Sequence, residues 1–337
     1  MRRRPLTRRT ARGAARLLAI ATVATTTTTA ASATADDAPI ELLSFNIRYD
    51  DPRDGEHRWA NRRELVLDSI RDRSPDFVGL QEALPHQRAW LDGELADGEP
   101  AWASLGRARE RSMTSGEANP LLHRVDRWER LDGGTFWLSE TPERIGSRSW
   151  GSACPRIATW GIYRRWSDDG EPDTAALPVL VVNTHFDHVS AEARRRGAES
   201  IVEFIERRRD AMPGMPTIVM GDLNAGPDSP AVATLLDAGL VDTHRIVGGT
   251  EAIGTFHGFR GDRATEGRPR IDFILVDERF EVLEAGIEPS ERGGRLVSDH
   301  RPVRARLRST PSDPEAASVV PDAPGPRSTP EDSPTGP

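Results

Sequence analysis

Thr217-Ile218-Val219-Met220-Gly221-Asp222-Leu223-Asn224 reads as a buried strand that runs straight into an acid and an amide. The same grammar recurs on either side of it. Val179-Leu180-Val181-Val182 leads into Asn183-Thr184-His185, and Asp76-Phe77-Val78-Gly79-Leu80 leads into Gln81-Glu82. Ser44-Phe45-Asn46-Ile47-Arg48 stands near the start, and Ser298-Asp299-His300-Arg301-Pro302 near the end. Short runs that are apolar throughout are strands buried on both faces. Polar groups at the ends of several such strands can converge on one site, and acids, amides and histidines together suit metal-assisted cleavage of a phosphate ester.

Each residue carries a chemical expectation. Glu82 follows a wholly apolar strand, where a carboxylate is costly unless solvated, paired or bound to a cation. Mg²⁺ takes oxygen ligands and uses one or two protein carboxylates, which suits Glu82. Asp222 and Asn224 are two apart, so an extended segment would point both to one side. Asp222 could then deprotonate a water while Asn224 donates to a phosphoryl oxygen; the same Gly-Asp-x-Asn composition also makes an Asx turn. Asp272, in Arg270-Ile271-Asp272-Phe273, is a candidate to orient His300, leaving Asp299 free to assist the metal or the water. His185 and His188 flank Asp187 but lack helical H-x-x-x-H spacing and any cysteine set, so His185 is read as a phosphate contact, with Glu117 as its candidate partner, rather than as a zinc ligand. Arg156 beside Trp160 could clamp phosphate, and Asn183 and His257 are further candidates for substrate binding, His257 within the aromatic run Thr255-Phe256-His257-Gly258-Phe259.

Composition bounds the partners. The chain has 337 residues and a net charge of −8, with no lysine among its 45 basic residues. Its first 35 residues hold seven arginines and no acid, then a short apolar stretch and Ala31-Ser32-Ala33-Thr34-Ala35. That pattern predicts a secretory signal and a secreted or periplasmic protein, without stable membrane insertion. Without those arginines the remainder carries −15, a poor balance for long nucleic acid, whose binding rests on many cationic phosphate contacts. Residues 309–337 are rich in Pro, Ser and acids and predict a disordered tail. Residues 36–308 form the expected single domain. Cys154 is the only cysteine, so no intrachain disulfide is possible, and it reads as a small packed residue.

Along that domain the pattern predicts a strand over Pro39–Ile47, a helix opened by Asn61 as cap, the Phe77 strand, and a helix from Pro85 to Leu95. Gly93 to Asn119 reads as a polar loop. Leu121–His123, Gly134–Leu138 and Thr159–Tyr163 read as strands of a second sheet. A helix over Ser190–Arg208 and a short one capped by Ser229 follow, and Ile271–Val276 and Val303–Leu307 close the fold. The mixture of alternating and hairpin-like strands fits an α/β (α+β) fold of two packed sheets with helices outside.

As an ordered set, Asn46, Glu82, Gly221-Asp222-Leu223-Asn224, Asp272 and Ser298-Asp299-His300 resemble the endonuclease/exonuclease/phosphatase superfamily, the DNase I-like fold, from about Ile40 to Leu307. Phe136-Trp137-Leu138-Ser139-Glu140-Thr141-Pro142 and Asn183 to His188 resemble a bacterial secreted branch related to the carbon-catabolite-repressor and nocturnin-type exonucleases. The resemblance implies a four-layered α-β-β-α sandwich and a site that depends on Mg²⁺ or Mn²⁺. It implies Glu82 as metal ligand with Asn46 beside it, Asp222 activating water, Asn224 on the phosphate, Asp272 orienting His300, Asp299 supporting the metal region and His185 as a second phosphate ligand. The expected function is a monomeric phosphodiester hydrolase working by in-line attack of water on a short nucleic acid or small phosphodiester, with nuclease or 3′-exonuclease the foremost subtype. The alternatives are a phosphomonoesterase or phospholipase for inositol phosphates or sphingolipids, and a non-catalytic module that holds a phosphorylated ligand.

Overall fold

A computed structural model describes residues 38–310, except 113, 114, 168, 250 and 251. The expected export segment, and all of the expected tail beyond residue 310, lie outside the described residues; the first residue assigned to that tail, Ser309, instead ends a strand.

Two six-stranded sheets pack face to face. One contains β1 (Ile40–Asn46), β2 (Phe77–Gln81), β3 (Trp102–Leu105), β4 (Leu121–Arg124), β11 (Phe280–Ile287) and β14 (Val303–Ser309), in the order β11-β14-β1-β2-β4-β3. The other contains β5 (Trp128–Trp137), β6 (Ile157–Arg165), β7 (Val179–His185), β8 (Thr217–Asp222), β9 (Val241–Asp242) and β10 (Asp272–Val276), in the order β5-β6-β7-β8-β10-β9. A small ribbon of β12 (Glu291–Arg292) and β13 (Arg295–Leu296) lies apart from both sheets. Helices α1 (Trp59–Arg71) and α2 (Pro85–Ala96) cover the first sheet. Helices α3 (Ala191–Ala211) and α4 (Pro230–Asp237) cover the second, and α5 (Thr243–Ile246) is a single turn after β9. No helix among the described residues is long and apolar enough to cross a membrane.

The period of two in each strand builds the layers. In β1, Leu43 and Phe45 pack beneath α1 and α2 with Val66, Ile70 and Leu91, while Ile40 and Leu42 face the other sheet. In β8, Val219 packs beneath α3 and α4, and Ile218 and Met220 face inward. Both faces are buried, so these strands read as continuous apolar runs. Each fully buried aliphatic side chain stabilises the sandwich by roughly 1.5–3 kcal/mol.

Ser190 and Ser229 cap α3 and α4, accepting from Ala193 N and Val232 N. Three sequence expectations need correction. Asn61 is not a cap: α1 begins at Trp59, and Asn61 donates to the Glu56 carbonyl of the preceding turn. The stretch read as a polar loop contains β3, whose one buried apolar residue, Trp102, gives too little periodicity to be seen. Leu121–His123 belongs to the first sheet, paired with β2 and β3; Leu121 and Leu122 are both buried, one on each face, and a short apolar run does not name its sheet.

Asn183 also departs from expectation. Its Oδ1 accepts from Gln81 Nε2 at 2.7 Å, and its Nδ2 donates to the Leu80 and Pro120 carbonyls at 2.8 and 2.9 Å. The side chain is fully buried and satisfied, so it ties the two sheets together and cannot bind substrate.

Candidate active site

Register assembles half of the site before any side chain is considered. Strands β7 and β8 are parallel and place His185 opposite Asp222, while antiparallel β10 places Asp272 on the other side of Asp222. Gly221 makes the close approach possible. Its φ is +148°, and a Cβ there would stand 2.0 Å from the Thr184 carbonyl oxygen. The first sheet supplies Asn46 at the end of β1 and Glu82 just beyond β2, in a left-handed conformation with φ +64°.

Asn46 joins the two halves. Its Nδ2 donates to Glu82 Oε1 and to Asp222 Oδ2, each at 3.0 Å, and lies 3.5 Å from His300 Nε2. Its Oδ1 accepts from Arg48 N, so in this arrangement Asn46 bridges the acids rather than offering an oxygen to a cation. Glu82 Oε2 accepts from Tyr49 N at 3.0 Å.

His300 Nδ1 contacts Asp272 Oδ2 at 2.9 Å, and its Nε2 lies 3.7 Å from Asp222 Oδ2. Burial opposes charging this imidazole, but the Asp272 and Asp222 carboxylates outweigh burial and raise its pKa. Asp222 is raised above the usual carboxylate range, by burial first and by Asp272 next, with His300 acting against them. Asp299, nearly buried, is raised chiefly by burial; His300 lowers it and Glu82 raises it. Its Oδ2 lies 3.8 Å from Arg48 Nε.

Of the two readings of the Asp222–Asn224 spacing, the structure shows the Asx turn rather than an extended segment. Asn224 N donates to Asp222 Oδ1 at 2.9 Å, an Asx turn, and Asn224 takes φ +46°. Its Nδ2 donates to the Phe186 carbonyl and lies 3.0 Å from His185 Nε2, so the amide fixes His185 at the cleft wall. Burial first, then Arg156, pushes the His185 pKa well down and keeps the ring neutral.

A cleft of about 370 Å³ opens over these groups, and Glu82, Asp222, Asn224, His185, Asp299 and His300 all line it. Arg156 also lines it, 3.5 Å from Asp187 and 2.8 Å from His188 Nδ1, and its buried Nη1 has no hydrogen-bond partner among the described residues. Glu117 lines the cleft but pairs with Arg109 through two 2.7 Å bonds, not with His185: a bidentate guanidinium is the stronger partner. His257 is a correction. It is fully buried, contacts Ser290 Oγ at 2.8 Å and donates from its backbone to the Asp299 carbonyl, so it supports the Asp299 turn from behind and does not reach the cleft. Arg48, Tyr49 and Arg109, which the sequence does not assign to the site, also line the cleft, as do His188, Ile271 and Phe256, the last from the aromatic run around His257. Arg48 and Tyr49 directly follow the Asn46 strand end, a usable signal; Arg109 sits in a stretch with no pattern at all.

Asp222, Asp272 and His300 could hold a metal ion, with one ligand atom from each within 4.8 Å of the others. His300 and Asp272 are already paired there. Glu82 and Asp299 offer oxygens only, no thiol lines the cleft, and such a donor set fits a hard divalent cation such as Mg²⁺ or Mn²⁺.

The sequence matches the Endonuclease/Exonuclease/phosphatase family over residues 43–300. Among solved structures, it is similar to an endonuclease/exonuclease/phosphatase from Bacteroides vulgatus, with 34% identity, a TM-score of 0.70, and coverage of 81% of this chain and 99% of that one. A mannosyl-6-phosphatase from Bacteroides thetaiotaomicron matches at 26% identity and a TM-score of 0.68, covering 80% of this chain and 99% of that one. The human nocturnin catalytic domain, at 16% identity and a TM-score of 0.60 over 81% and 94% of the two chains, shares the fold. A search of curated proteins finds no match.

Proposed function

The chain belongs to the endonuclease/exonuclease/phosphatase family, and from that premise we propose that it is a divalent-metal-dependent phosphoester hydrolase acting on a small phosphorylated molecule. The observation that carries the reading is the single network Glu82–Asn46–Asp222 beside the His300–Asp272 pair, which brings Glu82, Asp222 and His300 to one cleft.

Glu82 and Asp299 would hold the cation, which supplies neutralisation of phosphoryl charge and orientation of the ester. Asp222 accepts the proton of the attacking water; its raised pKa makes it a stronger base than an ordinary carboxylate once ionised. Asn46 steadies its Oδ2 through this step. His300, held charged by Asp272, donates from Nε2 toward the phosphoryl oxygens as they gain charge. Arg156 adds positive charge to the cleft wall.

Substrate size follows from charge and volume. The arginines on the cleft are largely engaged by acids: Arg48 by Asp54, Arg109 by Glu117, and Arg156 by Asp187. Few cations remain for a row of phosphates, which a polynucleotide needs. A cleft of about 370 Å³ suits one phosphate and one attached ring or chain. The relative that is a mannosyl-6-phosphatase supports this preference. A short oligonucleotide end is the second reading, favoured by the same cleft admitting a terminal nucleotide. The test is phosphate release from hexose 6-phosphates, nucleoside monophosphates and single-stranded RNA, with Mg²⁺, Mn²⁺ or chelator. Chelator-sensitive release from the small esters is expected; cleavage of RNA alone would overturn the size argument.

A further inference from the structure

The exposed large hydrophobics among the described residues are Val125, Ile145, Val189, Ile246, Val247 and Phe256, so one of them is aromatic and it lies on the cleft. Phe256 is 38% exposed while its neighbours Thr255 and His257 are both at 0%. The backbone explains the alternation. Phe256 forms a β-bridge with His300, flanked by hydrogen bonds from His257 N to the Asp299 carbonyl and from Arg301 N to the Thr255 carbonyl. A residue on such a bridge points one way and its neighbours the other. Thr255 and His257 go inward, and Phe256 is turned out beside the catalytic histidine.

The ring packs against His300. Its centroid lies 4.9 Å from that of His300 at an interplanar angle of 51°. Gly258 stands beside it with φ +58°, a backbone conformation that L side chains rarely adopt. Ile271 apart, the walls of the cleft are charged or polar, with Arg48, Glu82, Arg156, His185 and Asp222 among them. Tyr49, the other aromatic on the cleft, already has its face covered by the Arg48 guanidinium at 4.2 Å. An apolar ring kept in water at a polar site is a surface for a ligand, since exposure of this kind is otherwise unfavourable.

We propose that Phe256 is the platform on which the leaving group of the substrate rests, and that this leaving group carries a ring with an apolar face close to the phosphate. The inference rests on the phosphoester reading and deepens it by naming the substrate class. Two sources share that chemistry: the C–H face of a pyranose and the π face of a nucleobase.

The experiment compares hexose 6-phosphate, a nucleoside 5′-monophosphate and glycerol phosphate, which has no ring, on wild type, Phe256→Leu and Phe256→Trp. Leucine keeps the apolar packing on His300 and removes the aromatic face. It should lower kcat/KM for the ring ester about tenfold relative to glycerol phosphate, mainly through KM, and tryptophan should restore the ratio. Loss confined to the hexose ester identifies a sugar, and loss confined to the nucleotide identifies a base. An equal fall on glycerol phosphate, or no change on any ester, would overturn the proposal. Calorimetric binding of the ring esters to the same proteins with Mg²⁺ gives a readout independent of turnover. If wild type binds but hydrolyses none of the esters, the hydrolase reading fails while a leucine-sensitive affinity keeps the platform; binding indifferent to residue 256, or no binding with no turnover, rejects the platform.

Discussion

Asn46 Nδ2 and Asp222 Oδ2 meet at 3.0 Å across the interface between the two sheets, although 176 positions of chain separate the residues. Because the same nitrogen also donates to Glu82, one amide holds together the group placed to take the water proton and the group placed on the cation. Replacing Asn46 with Ala should lower turnover on the order of 10²-fold while the protein stays folded, because the acids lose their positioning partner. Replacing it with Asp sets a third carboxylate between two others. That variant should melt below wild type in chelator and recover most of the difference when Mg²⁺ is added, as read by thermal unfolding with and without the ion. A melting temperature indifferent to Mg²⁺ would count against a cation at Glu82.

The Asp272–His300 contact makes a second expectation. Asp272→Asn removes the main source of positive bias on His300, so the imidazole loses its proton at lower pH than in wild type. Turnover should fall on the order of 10³-fold or more, by analogy with the loss of an orienting carboxylate elsewhere, and the alkaline limb of the pH–rate profile should move toward acid. An unmoved limb would show that His300 does not act as the charged donor.

Stability should carry a pH signature at His123. Burial first, and Arg130 next, lower its pKa to about 4, whereas in the unfolded chain it titrates near about 6.5. Between those values the unfolded state binds more protons, so this residue costs stability as pH falls from about 6.5 toward 4. Carboxylates with raised pKa, such as Asp76 and Asp299, act in the opposite sense, so the effect is isolated against a variant. The stability difference between wild type and His123→Phe should shift in favour of the variant by about 1.4 kcal/mol per pH unit over that range. Urea unfolding of both proteins at pH 7, 6 and 5 measures it; a constant difference would mean His123 is not held neutral.

Gly221→Ala tests the register argument. The new Cβ would press on the Thr184 carbonyl in a backbone conformation that L side chains rarely adopt. A loss on the order of 4 kcal/mol or failure to fold is expected, against a wild-type-like melt if the strands can part without cost.

Much of this site could be read from the sequence because each strand is buried on both faces, and an acid or amide at the end of such a strand stands out. Asp222, Glu82, Asn46, His300 and Asp272 were visible for that reason, and the ordered set pointed to the two-sheet sandwich. The same rule misled at Asn183, which shares the strand-end position but turns toward the partner sheet, and at His257, where alternation put the neighbouring Phe256 on the cleft instead. Glu117 pairs with Arg109, eight positions away, rather than with His185, because the irregular stretch around Arg109 carries no pattern that announces the guanidinium. Strand β3 and the sheet membership of β4 depend on tertiary partners, which a short segment does not encode.

The most direct test of the shared site is Asp222→Asn, assayed for Mg²⁺ binding by calorimetry and for phosphate release from the small esters. The isosteric change leaves one acceptor oxygen for Asn46, gives up the acceptor that Asn224 N uses, and removes the base. Mg²⁺ affinity and melting temperature near wild type, with turnover reduced on the order of 10³-fold or more, would fit a carboxylate that acts on water beside a cation held by others. Turnover within a few-fold of wild type would contradict it.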